Sequence, residues 1–245
     1  VSDDAIQPGE PAPETAAPDA VRSEPKPWFA PYRGVRFSIS LKWLLAGALI
    51  YALLLLVFIT ANPSEAAYPI VGPSLYLTPV FGLPLVLRLM HRPGRIRRLI
   101  YFMLLLPIAH VAANFLAWSV ALDHVFRPGT DMLKVHLLTG AWGGVTGATF
   151  AFTFLYLTRL TARRQAELLT MGVATIALTV IGALGVTQGM VFAGDTPDTQ
   201  DREALILWFE TIHLPWQIVF AVALAWLMRP PRVVRKPIPV EAVTD

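Results

Sequence analysis

The chain has 245 residues, 55% of them hydrophobic and 15% charged, with a formal net charge of +3; soluble domains carry about a quarter charged residues. The basic residues sit in short clusters beside long apolar blocks, where they act as topology signals, and this excludes nucleic acid as the partner. The absence of cysteine excludes disulfides, thiolate metal ligands and a thiol nucleophile.

Residues 1–27 are rich in Pro, Ala, Glu and Asp, too poor in apolar side chains to offset the entropy of ordering, and are expected to form a disordered acidic cytoplasmic tail. Residues 28–40 interleave Trp28, Phe29, Tyr32 and Phe37 with Arg33 and Arg36, a mixture suited to the headgroup zone, so an interfacial segment is expected there. The first apolar block comes after this long polar lead and reads as a retained span rather than a cleaved signal.

Six apolar blocks succeed one another, at residues 41–61, 68–90, 99–122, 135–158, 168–190 and 205–228, each 21 to 24 residues long. At 1.5 Å per residue each is long enough to cross about 30 Å of hydrocarbon. The fold class is therefore all-α, a polytopic six-helix bundle over residues 41–228, with a cytoplasmic tail over 229–245. Pro69, Pro73, Pro79 and Pro84 fall in the second block, which is expected to be kinked or partly unwound.

Charge sets the number of crossings and the orientation. Sixteen Lys and Arg lie near one set of span ends: Lys26, Arg33, Arg36 and Lys42, then Arg88, Arg92, Arg95, Arg97 and Arg98, then Arg159, Arg163 and Arg164, then Arg229, Arg232, Arg235 and Lys236. Only Arg127, Lys134 and Arg202 lie near the other set. Strict alternation requires the second block to cross, with both termini cytoplasmic and the chain in a bacterial inner membrane. Arg92, Arg95, Arg97 and Arg98 are also candidates for binding anionic lipid headgroups.

The fourth block carries Gly140/Gly144 and Gly143/Gly147, and the fifth carries Gly185/Gly189. Four-residue spacing puts each pair on one helix face, where a missing side chain lets another backbone approach. A phosphate-binding loop would need a strand before it and Lys-Ser/Thr after it, and neither is present. Close helix packing is expected, within the chain, with a second copy or with a protein partner.

The conspicuous polar residues at membrane depth are His110, Asn114, His136, Gln188, Glu210 and His213. A carboxylate such as Glu210 is costly in hydrocarbon and must face protein, water or a partner. Glu210-x-x-His213 matches half of a carboxylate-bridged di-metal site, but no second copy exists to complete one. His110 and His213 are candidates for axial ligation of haem, either one for chlorophyll, and together with Glu210 for a single metal ion. They are equally candidates for interhelical hydrogen bonding. Motifs of metalloproteases, serine hydrolases and P-loop enzymes are absent.

Three readings stand at this level. The first is a non-catalytic accessory or assembly subunit that docks helices through its glycine faces. The second is a small transporter or proton-linked channel using Glu210, His213 and His110. The third is a haem-, chlorophyll- or metal-binding protein through His110 and His213.

Overall fold

A computed structural model describes residues 34–61, 72–125, 127–193 and 201–230; the tail expected at 1–27, the aromatic residues at 28–32 and the chain from 231 onward lie outside them. The described residues contain no strand. They form α1 (Phe37–Ala61), α2 (Pro73–Tyr76), α3 (Thr78–Arg88), α4 (Arg95–Ile100), a π-helical turn (Tyr101–Leu105), α5 (Leu106–Val125), α6 (Met132–Leu157), α7 (Gln165–Ala193) and α8 (Arg202–Leu227). Four stretches are long and apolar enough to cross a membrane: Phe37–Ala61, Arg95–His124, Gln165–Phe192 and Arg202–Leu227.

The surface agrees with an integral membrane protein. On α1 the buried residues Leu44, Ala48, Tyr51, Leu55 and Ile59 recur every three or four positions and make one face. The opposite face, with Leu49, Leu53 and Val57, is exposed and equally apolar. A helix in water would be polar there; an all-round apolar helix with one packed face suits lipid.

The helices close a ring. α1 packs on α3 and α8, α3 on the π turn, α5 on α6, α6 on α7 and α7 on α8. Glycine contacts give the register: Gly140 and Gly144 of α6 meet Gly182 and Leu178 of α7, while Gly143 and Gly147 meet Ala117 and Ala113 of α5. Rising numbers on one helix against falling numbers on the other mean antiparallel neighbours. α1 and α8 are antiparallel too, because the Val35 N–H donates to the Met228 carbonyl at 2.8 Å while Tyr51 meets the His213 ring. Gly34 makes that first contact possible, since its φ is +70° and any side chain on it would collide with Pro230.

Local chemistry explains the boundaries. The Asp131 and Asp201 carboxylates accept the N–H groups of Leu133 and Ala204, each at 3.0 Å, and so cap α6 and α8. The Glu167 carboxylate accepts the Arg164 N–H at 3.1 Å, the returning half of a capping box at the start of α7. α1 starts at Phe37, so residues 37–40, expected in an interfacial segment, form its first turn instead.

The proline-rich second block is broken, as its composition implies: α2 and α3 are separated at Leu77, with Pro79 in the first turn of α3 and Pro84 inside it. Together they cover residues 73–88, about 24 Å at helical rise. The π turn has a related cause. Pro107 lacks an N–H and its ring presses on the preceding turn, and the wide turn just before it absorbs that conflict, with the Leu106 N–H reaching back to the Tyr101 carbonyl. The extra residue rotates the whole of α5 by about 100°, and His110 and Asn114 lie on the face so turned.

The glycine faces are occupied within the chain. A side chain on Gly140 would strike the Gly182 carbonyl, one on Gly144 would lie 2.7 Å from the Leu178 carbonyl, and one on Gly189 would lie 2.8 Å from the Trp208 ring. The basic run at 92–98 divides: Arg92 and Arg95 are exposed, whereas Arg97 and Arg98 are buried. Arg98 donates to the carbonyls of Leu89 at 3.0 Å and Arg92 at 3.1 Å, satisfying acceptors just past the end of α3.

Candidate functional site

The ring of helices leaves a cavity of about 260 Å3 between α2, α3, α5, α6, α7 and α8. Its wall is small on one side, where Gly140, Gly143, Gly144, Gly147 and Gly182 line it, and aromatic on the other, with Trp208, Phe209, Trp216 and Phe220. Among the described residues that line it there is no Asp, Glu, Lys or Arg.

The cavity is blind at one end. Phe220 of α8 stacks on Phe81 of α3 at 5.8 Å between ring centroids and packs on Phe152 of α6 at 5.6 Å and on Trp216 at 4.8 Å. These rings form a floor that merges with the main apolar core, which continues to Leu89, Leu160 and Met228. Toward the other end the lining reaches Ala121 of α5, Thr139 of α6, Met190 of α7 and Trp208 of α8. Those residues approach the bundle end formed by the finish of α5 and α7 and the start of α6 and α8, the end poor in basic residues.

Two histidines meet midway. The His110 and His213 ring centroids are 5.4 Å apart with 34° between planes. His213 also stacks on Phe209 at 5.9 Å and touches Tyr51 edge-on at 6.1 Å. His110 is held from its other side, its Nδ1 lying 2.8 Å from the Thr78 hydroxyl oxygen. That hydroxyl donates to the Ser74 carbonyl at 3.0 Å, and the Tyr51 hydroxyl donates to the same carbonyl at 3.3 Å. Thr78 has a single proton, so the direction of its bond with His110 Nδ1 goes with the imidazole tautomer. The His110 Nε2 is buried and unpartnered.

Helical spacing extends the polar set. Asn114 lies one turn beyond His110 on α5, and Gln217 one turn beyond His213 on α8, and all four line the cavity. Because α5 and α8 run oppositely, Asn114 extends the set toward the base-poor end of the bundle and Gln217 toward Phe220. The side-chain oxygen of Gln217, the Thr139 hydroxyl and the Trp208 indole nitrogen are also buried without partners.

The remaining expected residues do not line this cavity. Gln188 is exposed on α7. His136 is buried in α6 away from the wall, with its Nε2 unpartnered. Glu210 is partly buried on α8 and is not a lining residue either. No group of three His, Asp or Glu side chains converges among the described residues, so His110, Glu210 and His213 do not make a three-ligand metal site.

Sequence reasoning missed Thr78, Gln217 and the tryptophans. Gln217 was within reach of it, four residues after His213 on the same face. Thr78 was hidden by the prolines around it, which drew attention to the break and away from the side chain beside it. No protein-family model, no curated protein and no solved structure matches the chain.

Proposed function

We propose that this chain is a six-span protein of a bacterial inner membrane, with its ends in the cytoplasm, that binds a small molecule in a chamber reached from the opposite face, as the outward-facing state of a carrier does. The observation that carries the reading is the blind cavity with His110 and His213 at mid-depth and its aromatic floor. Pockets of this kind, mostly apolar with a few convergent polar groups, lie between the helices of bundles. A continuous channel would need an opening where Phe81, Phe152 and Phe220 meet.

The orientation follows from charge. The turn after α3, the turn after α6, the start of α1 and the end of α8 carry Arg92, Arg95, Arg159, Arg163, Arg36 and Arg229, and antiparallel packing brings these to one end. On this reading α2–α3 and α6 supply the other two crossings; what supports it is that α2–α3 runs antiparallel to α1, with Phe81 on Gly47 and Ser74 on Tyr51, and α6 antiparallel to α7, with Gly182 on Gly140 and Leu178 on Gly144, while α1 and α7 are long and apolar enough to span. The broken α2–α3 element contributes Ser74, Thr78 and Phe81 to the wall and is the candidate for movement, as discontinuous helices are in carriers. An accessory subunit that docks partners through Gly140, Gly144, Gly185 or Gly189 is less well supported, because those faces already hold α7 and α8.

The chain has no cysteine, so an introduced thiol is unique. In sealed vesicles of both orientations, Ala121→Cys should react with a membrane-impermeant maleimide only from the face of the 127–131 turn. Arg95→Cys should react only from the other face. Protection of Ala121→Cys from both sides would refute the open chamber, and reaction of both thiols from one side would refute the topology.

A further inference from the structure

We infer that the chamber takes the hydrocarbon chain of a single-chain amphiphile, inserted tail-first with its polar head left toward the base-poor end. The inference rests on the proposed chamber and assigns its ligand class. Shape carries it first. The lining runs from Leu106 to Ala121 on α5, from Thr139 to Ala151 on α6 and from Trp208 to Phe220 on α8, which is about 18–22 Å at helical rise. A cavity of about 260 Å3 drawn out over that length is a narrow bore along the helices. Ala113, Ala117 and Ala121 of α5 and Gly143, Gly144 and Gly147 of α6 keep one side of it free of bulky side chains, while the rings of α8 line the other. An apolar cavity of about 150 Å3 takes up benzene, and on the same scale this one holds about ten carbons. A second chain on the same head would have no place inside the ring of helices.

The chemistry of the wall agrees. No Asp, Glu, Lys or Arg is among the described lining residues, so a charged group inside would lie in an apolar space without a counter-charge. Several polar atoms of the lining residues are sealed from the bore or engaged. His110 Nε2, the Thr139 hydroxyl, the Trp208 indole nitrogen and the Gln217 oxygen are buried, and His110 Nδ1 is bonded to Thr78. What faces the bore is mainly carbon, which suits hydrocarbon better than water, since water needs polar partners of its own. The floor sets the direction. A head group entering first would meet the stacked rings of Phe81 and Phe220 and leave its hydrogen bonds unmade. Entering last, it stays at the end where α5 finishes and α6 and α8 begin.

The test uses the full chain in lipid nanodiscs and decanol carrying one bromine, which quenches indole fluorescence on contact. Bromine on the last carbon marks the tail, and bromine on the carbon next to the one bearing the hydroxyl marks the head. Trp216 lies near the floor and Trp208 about 12 Å farther along α8; the emission of each is the part lost in Trp216→Phe and in Trp208→Phe. The tail-marked probe should quench Trp216 saturably, at a single site, and the head-marked probe should quench Trp208 and spare Trp216. Val186→Phe puts a ring into the bore and should weaken the saturable quenching at least about tenfold. Val180→Phe, exposed on the same helix, should leave it within about twofold. Quenching that only rises in proportion to added probe, or equal quenching of Trp216 by both probes, would overturn the assignment. So would quenching of Trp216 by a phospholipid brominated on its chains with no alcohol present, since the bore would then be filled from the bilayer. If Ala121→Cys is still labelled from the outer face in any of these cases, the chamber stands and only the ligand class fails. If that thiol is shielded as well, the chamber reading falls with it. Should Val186→Phe prevent folding, the contrast between the two bromine positions decides alone.

Discussion

Gly140→Ala tests the close approach of α6 to α7 on which the chamber depends. A Cβ at this position would strike the Gly182 carbonyl oxygen and stand 2.7 Å from the Ala183 Cα. Carbon contacts are comfortable from about 3.5 Å, so the two backbones must separate by about 1 Å. Both obstacles are backbone atoms, and no change of rotamer relieves them. In lipid the helices are already formed before they associate, so the better helix propensity of alanine returns little. The overpacking cost is about 1–3 kcal/mol. For a chain of this size, about 2 kcal/mol corresponds to a fall in Tm of roughly 4–8 °C. Gly172→Ala on α7 is the control, because nothing lies within 4 Å of its Cβ, and it should stay within about 0.5 kcal/mol of the unaltered chain. Detergent-solubilised protein is heated, and the surviving monodisperse fraction is read by size-exclusion chromatography. Equal melting of the two variants would refute the argument that Gly140 is kept small by contact with Gly182.

Four further outcomes are expected. Thr78→Val removes the partner of His110 Nδ1; nitrogen NMR of labelled histidine should show one fixed His110 tautomer in the unaltered chain and lose that single state in the variant. Arg98→Met strips the buried Leu89 carbonyl and the partly buried Arg92 carbonyl of a charged donor, so the turn at 89–94 should become protease-sensitive and stability should fall by about 2 kcal/mol. Asp201→Ala removes the α8 cap and should cost about 1 kcal/mol, measured by the same thermal assay. Glu210→Gln, off the chamber wall, should leave the labelling rate of Ala121→Cys unchanged; a large change would place Glu210 in the path after all.

The packing also accounts for a conflict between α6 and its setting. α6 is not among the helices apolar enough to be recognised as spanning by hydropathy, yet it has a neighbour on either side in the ring. Its low hydropathy comes in part from the residues that make it useful: glycines that admit α5 and α7, and Thr139 on the cavity wall. A lipid-facing helix must be apolar outside, whereas one that builds a chamber is chosen for what it leaves open.

Much of this protein was legible in its residues alone. Length and hydropathy marked the apolar blocks, because crossing hydrocarbon demands a run of such residues whatever the helix packs against. The break in the second block followed from Pro73, Pro79 and Pro84, since a missing N–H acts locally. The approximate depth of His110 and His213 followed from counting rise per residue along antiparallel helices. Helix rotation did not follow, because an apolar helix in lipid has no polar stripe to mark its inner face. Rotation is decided by where one backbone can approach another: Gly140 on Gly182, Gly47 on Phe81, and the π turn ahead of Pro107. Those contacts turned His110, Asn114, His213 and Gln217 into one cavity and left Glu210, His136 and Gln188 off its wall. The sequence by itself determined which segments are long runs of apolar residues and that His110 and His213 fall at a similar level along the bundle; only tertiary packing decided which polar groups face one another.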